Sequence, residues 1–140
     1  MSSLSPYAVG LTLGALLPAA TSRWVALYTT LPGADGTGGV EVGAAYARAE
    51  NAAWVDEAPP VGLVGARGNT VDVYFNAFTA DVPGVVGFGF FDALVAGNLL
   101  AWGPLRNPVT QAVITRDFVA GDIAHFAAGE LEIGIAAMAD

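Results

Sequence analysis

The sequence predicts a mainly β protein: an antiparallel β-sandwich or barrel of about eight short strands, preceded by a short N-terminal helix. Three observations carry this. Runs rich in β-branched and aromatic residues recur along the chain, several with period-two alternation. Turn signals made of Gly, Pro, Asn and Asp separate them at intervals of about ten to twelve residues. Beyond residue 18 no long stretch shows helical periodicity. The expected organisation is an N-terminal helix or arm over residues 1–20 and a single β domain over residues 21–140. A chain of this length holds a core without disulfide or metal staples.

Each element has its own justification. Ser5 and Pro6 are a helix start, because Ser caps the first free N–H groups and Pro suits the first helical position. Residues 6–17 are expected to be helical, with Tyr7, Leu11 and Ala15 on one face and Leu4, Ala8 and Leu16 nearby. Gly10 and Gly14 weaken that helix by about 1 kcal/mol each relative to Ala, and leave a flat strip that another backbone can approach. Pro18 ends it. Residues 23–30 (RWVALYTT) form the clearest strand, closed by Pro32 and Gly33. Residues 32–39 (PGADGTGG) read as a loop. Short strands are expected at 40–42 and 46–50, with a further extended piece at Trp54 and Val55, before Pro59 and Pro60 break the chain. In residues 70–75 (TVDVYF), Val71, Val73 and Phe75 alternate with Asp72 and Tyr74, the pattern of a half-buried strand. In residues 85–91 (VVGFGFF), Gly87 and Gly89 leave one face bare, so an aromatic ring or another layer fits closely against it. A turn at residues 96–98 then makes a hairpin with residues 99–105. Alternating strands are expected at 109–118 and at 130–135, the latter with Leu131, Ile133 and Ile135 inward, and a turn at Gly121 and Asp122 lies between them.

Composition excludes several functions. Of the residues, 54% are hydrophobic and only 13% charged, against about 25% charged in ordinary domains. Large apolar residues are as plentiful as Ala, so much of the surface is expected to be covered in an assembled state. The five basic residues are all Arg, and the net charge is −8. Nucleic-acid binding requires clusters of Lys and Arg to neutralise phosphates, and no such cluster occurs. With no Cys, disulfides and thiolate metal sites are ruled out. The apolar run from residue 4 to 17 is too short for a membrane span and lacks the basic start of a signal peptide, so the chain is expected to be made in the cytoplasm without a membrane partner.

A search for chemistry yields no catalytic, cofactor or metal site. His125 is the sole histidine and has no second His or Cys with which to ligate a transition metal; it reads as a strand-edge residue. No G-x-S-x-G elbow occurs, and a phosphate-binding loop ending in Gly-Lys cannot exist without Lys. Three carboxylate pairs were weighed as glycosidase candidates: Asp56 with Glu57, Asp117 with Asp122, and Glu130 with Glu132. Asp56 and Glu57 are adjacent and point to opposite strand faces, and Glu130 and Glu132 share the solvent face opposite Leu131 and Ile133. Asp35, in the Gly33–Gly39 loop, is one carboxylate where Ca²⁺ needs several oxygen ligands. Arg48 is expected to pair with an acid, Asp92 being a candidate. Trp24, Trp54 and Trp102 are expected to anchor core and interface; a sugar-stacking platform is the competing reading.

The stretches AL-YTT-LP at residues 26–32, GGVEV at 38–42 and YAR at 46–48 resemble a widespread group of small structural proteins of tailed bacteriophages and prophages. The later segments GFGFFDA (87–93), GNLLAWG (97–103), GD (121–122) and GELEI (129–133) continue the resemblance over most of the chain. Ala44 and Ala45 depart from the group's usual Gly-rich step before the Tyr, which bears on subfamily rather than fold. The resemblance implies a virion protein without enzymatic activity. The leading expectation is a capsid decoration, or cement, protein that stabilises the head shell as a trimer against the major capsid protein. The alternative is a tail-tip or tail-fibre component; a carbohydrate-binding module and a glycan hydrolase follow. The expected partners are therefore copies of itself and other virion proteins.

Overall fold

The computed structural model describes residues 4–59 and 63–136. Pro60, half of the expected chain break, and residues 1–3 of the N-terminal segment lie outside the described residues. The fold is mainly β, with antiparallel sheets and one short helix. Twelve strands occur among the described residues, more than the eight or so expected, because several are only two or three residues long. None of the described sheets closes into a barrel. The chain forms two compact units: the first draws on residues 4–22, 51–59, 63–73 and 126–136, the second on residues 23–50 and 74–125.

In the first unit the helix α1 spans Pro6–Leu16, close to its expected bounds. Ser5 caps it by accepting from the Ala8 N–H at 3.1 Å. Its buried face is Val9 and Leu13, with Leu17 just beyond. The face shared by Tyr7 and Leu11 points outward instead, as their exposure shows. The helix rests on a three-stranded antiparallel sheet of β4 (Trp54–Glu57), β5 (Leu63–Asn69) and β12 (Glu132–Ala136), with β5 central. β5 has no strand signature in the sequence, because its LVGARGN run carries two glycines and an arginine in place of alternating apolar residues. Contact geometry explains Gly65: a Cβ there would stand 2.5 Å from Val9 Cγ1 and 3.2 Å from Leu13 Cδ1. A side chain at this position would lift the helix off the sheet.

The polar residues of β5 are fully used. Arg67 donates to the Leu17 carbonyl at the end of the helix and to Asp56 Oδ1 at 2.9 Å. Asn69, 1% exposed, donates to the carbonyls of Val71 and Ala127 and accepts from the N–H groups of Gly129 and Leu131. One buried amide thus holds the turn before β12 against the strand that precedes it. Each such bond contributes about 1 kcal/mol net, and leaving any of the four partners unsatisfied costs more.

The second unit is built on a five-stranded sheet. β2 (Val40–Glu41), β1 (Arg23–Thr30), β8 (Gly87–Phe91) and β9 (Leu99–Pro104) lie in that order, and β3 (Ala49–Asn51) also pairs with β1. β1 and β8 pair antiparallel from Trp24 opposite Phe91 to Tyr28 opposite Gly87. Residues 25–28 and all of β8 are buried on consecutive positions, so the centre of the sheet is covered on both faces. That is layered packing, not a sheet with one wet side. The bare strip expected along Gly87 and Gly89 is occupied: a Cβ on Gly89 would stand 2.8 Å from the Tyr28 ring. β7 (Val82–Val85) pairs with β10 (Arg116–Phe118). β6 (Val73–Tyr74) and β11 (His125–Phe126) are two-residue strands.

Four expected strands come out differently, and the one over 46–50 moves to Ala49–Asn51, leaving residues 46–48 outside any strand. The strand over 70–75 shrinks to Val73–Tyr74, and Val71 is left exposed in the bend that the Asn69 side chain closes. The run 85–91 is two strands, with Val86 between them donating to the Tyr28 carbonyl and accepting from the Leu105 N–H. The run 109–118 contributes only Arg116–Phe118 and an isolated bridge between Arg106 and Val113. Asn107 curls the chain there by accepting from the N–H groups of Val109 and Thr110, a local turn that competes with a strand ladder.

Candidate functional site

The most heavily bonded polar cluster of the second unit is centred on Arg48. Its expected partner was Asp92; the structure pairs it with Glu41, Nη2 to Oε1 at 2.7 Å and Nε to Oε2 at 3.0 Å. The guanidinium lies 3.6 Å from the centroid of the Phe91 ring and donates through Nη1 to the carbonyls of Ala93 and Ala96. Tyr46 donates its hydroxyl proton to the same Glu41 carboxylate and accepts from the Leu27 N–H. Burial and then the bond to Glu41 push the Tyr46 hydroxyl far above its ordinary pKa, so it remains a donor. The hydrogen bond to Glu41 likewise raises Arg48. Asp92 closes the adjacent hairpin instead, taking the N–H and the side-chain amide of Asn98 at 2.7 and 2.9 Å. Those bonds lower its pKa.

This cluster holds the β8–β9 connection in a set shape. Ala96 and Gly97 adopt the left-handed φ values of 55° and 77° that the turn requires. The turn presents Leu94 and Val95 outward, the latter 78% exposed. They help line a shallow depression of about 390 Å³ together with Glu41, Val42, Tyr46 and Arg48. The Arg48 and Glu41 groups at its edge are committed to one another, so the depression offers an apolar contact surface with no free charge aimed into it.

The carboxylates expected to be weighed as pairs are dispersed into structural roles. Asp117 accepts from the Gly84 N–H, Asp122 from Val119, and Asp56 pairs with Arg67. Asp35 accepts from the N–H and hydroxyl of Thr37, an Asx turn that shapes the 33–39 loop and lowers its pKa. The pair that does form was not anticipated: Glu57 of β4 and Glu132 of β12 meet across the central strand. Gly68 allows it, since a Cβ there would stand 3.0 Å from the Glu57 carboxyl. Burial, and then the hydrogen bond and charge of Glu57, push Glu132 up to about 7. Two carboxyls bonded to each other leave no space for a glycosidic bond, whose acid and base stand about 5–9.5 Å apart. His125 is exposed and stacks on Tyr74 with centroids 5.0 Å apart. Trp54 is buried with its indole N–H on the Asn51 carbonyl, whereas Trp24 and Trp102 are half-buried. Among the described residues no group of three or more His, Cys, Asp or Glu is placed to hold a metal, and no helix is long and apolar enough to cross a membrane.

The family profile described as Podophage GP4 fiber I protein gp80 matches residues 10–134. The chain belongs to this family. It is a bacteriophage structural protein, and its family associates it with the virion. No curated protein matches the chain. For a member of the fiber I family, several charged side chains hold loops and sheets in shape, and loops also present Leu94, Val95 and Val109 outward. The resemblance in the LYT, YAR and GNLL segments had pointed to this group. The Arg48–Glu41 pair lies within one short segment, Glu41 ending β2 and Tyr46 and Arg48 following it before β3 begins at Ala49. The Glu57–Glu132 pair had no local signal, because its partners lie 75 positions apart in the numbering.

Proposed function

We propose that the chain is a non-enzymatic building block of the fibre apparatus of a tailed phage, attached through apolar faces to other copies or to neighbouring virion proteins. The family match over residues 10–134 carries this reading. The uncommitted surface supports it: Val95, Val109, Val113, Val119 and Ile123 all lie exposed, and the cations, where bonded, serve internal contacts. Such a surface suits assembly better than catalysis. The second reading is the shell decoration protein, favoured by the same apolar surface and the low charge. Copy number separates them. Quantitative mass spectrometry of purified virions, normalised to the major capsid protein, is expected to give fibre-like stoichiometry, far below that of the shell subunit. A ratio comparable to the shell subunit transfers the protein to the head, and absence from virions removes both readings.

A further inference from the structure

The helix α1 is apolar on every side, which in a folded protein marks a helix covered all round. Its inner face, Val9 and Leu13, is covered by β5. Its outer face is bare: Tyr7 and Leu11, 78% and 59% exposed, share one stripe at helical spacing, and Leu4, 51% exposed, stands just before the Ser5 cap. We propose that this outer face of α1 is a self-association surface, packing against the same face of a second copy of the chain. The proposal deepens the assembly reading above and rests on it.

Four observations favour a second copy. The first is shape. Tyr7 and Gly10, and likewise Leu11 and Gly14, are neighbours one turn apart, so each large side chain stands beside a notch. Nothing lies within 4 Å of a Cβ placed on either glycine, so both notches are open. A surface of knob beside notch complements itself across a two-fold axis, which is what an isologous contact needs, and glycines let two helices approach closely. The second is charge. Each chain carries −8, so two copies repel. The segment before Arg23 has no charged side chain and is the longest such run in the sequence, which makes it the face where that repulsion is least. A foreign partner for an acidic protein would be steered by charge, and this face offers none. The third is area. Leu4, Tyr7 and Leu11 group three large exposed side chains in one short segment, which suits a small, reversible contact rather than an extensive one. The fourth is that a lipid surface fits poorly. An 11-residue helix is about 16 Å long, half a bilayer core, and carries no Lys or Arg to meet anionic headgroups.

The test is sedimentation equilibrium of the full chain over a wide concentration range, with Leu11→Glu as the disrupting variant. Leu11 is exposed, so the variant keeps its circular dichroism spectrum. The wild type is expected to associate reversibly, and Leu11→Glu to weaken association by roughly a hundredfold or more, since each copy would bury an unpaired carboxylate. Because the chain has no Cys, Leu11→Cys offers a second readout: oxidation is expected to give a covalent dimer, and Val109→Cys, exposed in the other unit, is not. A wild type that stays monomeric overturns the proposal. So does association untouched by Leu11→Glu, which would place the contact elsewhere. Incorporation into virions is scored separately: a protein that enters the particle but does not self-associate through α1 defeats this inference and leaves the structural role standing. If only virion incorporation is lost in Leu11→Glu while the wild type is monomeric, the face belongs to a different virion protein and the proposal is again wrong.

Discussion

At the scale of single residues, few charges carry much of the specification. Arg48 makes two bonds to Glu41 and two to the hairpin carbonyls while stacking on Phe91. Arg48→Met keeps bulk but leaves Glu41 without its cation and two carbonyls without donors. Urea titration is expected to show a loss of about 2–4 kcal/mol, and Arg48→Lys to recover only part of it, because an ammonium cannot reproduce the planar fork. Glu132 works in the opposite sense. Its folded-state pKa of about 7 lies above its ordinary value of 4.5, so the folded protein holds a proton that the unfolded chain releases between those values. The pair's contribution is therefore present below the ordinary value and is lost as pH rises towards 7. The urea midpoint is expected to be higher at pH 5 than at pH 8, and Glu132→Gln to flatten that difference. A wild-type midpoint that rises over the same interval would contradict the raised Glu132 pKa.

At the scale of elements, the joint between α1 and β5 decides whether the first unit is packed. Gly65→Ala removes backbone freedom from the unfolded chain, a gain of about 0.4–1 kcal/mol. The new methyl group would sit 2.5 Å from Val9 Cγ1, on a β-branched side chain with little rotamer freedom in a helix. Overpacking of that kind costs about 1–3 kcal/mol, so the clash wins. Gly65→Ala is expected to lower thermal stability and to expose α1 to limited proteolysis; unchanged stability would mean that the helix shifts freely on the sheet. The same glycine explains why β5 was illegible. A strand is recognised by alternating apolar side chains, and here the alternate positions are a glycine that admits the helix, an arginine that ties its end, and an asparagine that bonds four backbone groups. The β1 strand was legible at its full length because nothing but packing is asked of it. The 96–98 turn and the 121–122 turn were legible for the same reason that they form: Gly97 and Gly121 take left-handed φ values that favour glycine.

At the scale of the whole molecule, strong acidity and low charge density act together. A net charge of −8 repels like copies, and the proposed α1 contact would draw them together on an uncharged face. Raising the salt shortens the screening length from about 8 Å to about 3 Å between physiological ionic strength and 1 M. Self-association through α1 is therefore expected to strengthen as salt is added, read as a rise in weight-average mass by sedimentation. Association that dissolves in salt would mean that ion pairs hold the copies together. The hairpin beside Arg48 is pinned by its own carboxylate and guanidinium groups.

The sequence by itself determined the class of the fold, the helix at its start, the strand at Arg23–Thr30, the hairpin after Phe91 and the phage structural family, because each is written in local spacing: a cap and a proline, a β-branched run, a turn glycine, an ordered series of short motifs. Tertiary structure alone decided which acid meets Arg48, that Glu57 stands beside Glu132 and helps raise its pKa, that residues 63–69 form a central strand, and that the Tyr7 and Leu11 face of the helix points outward. Those outcomes depend on which side chains arrive from distant strands, and on glycines whose role is visible only once another element lies against them.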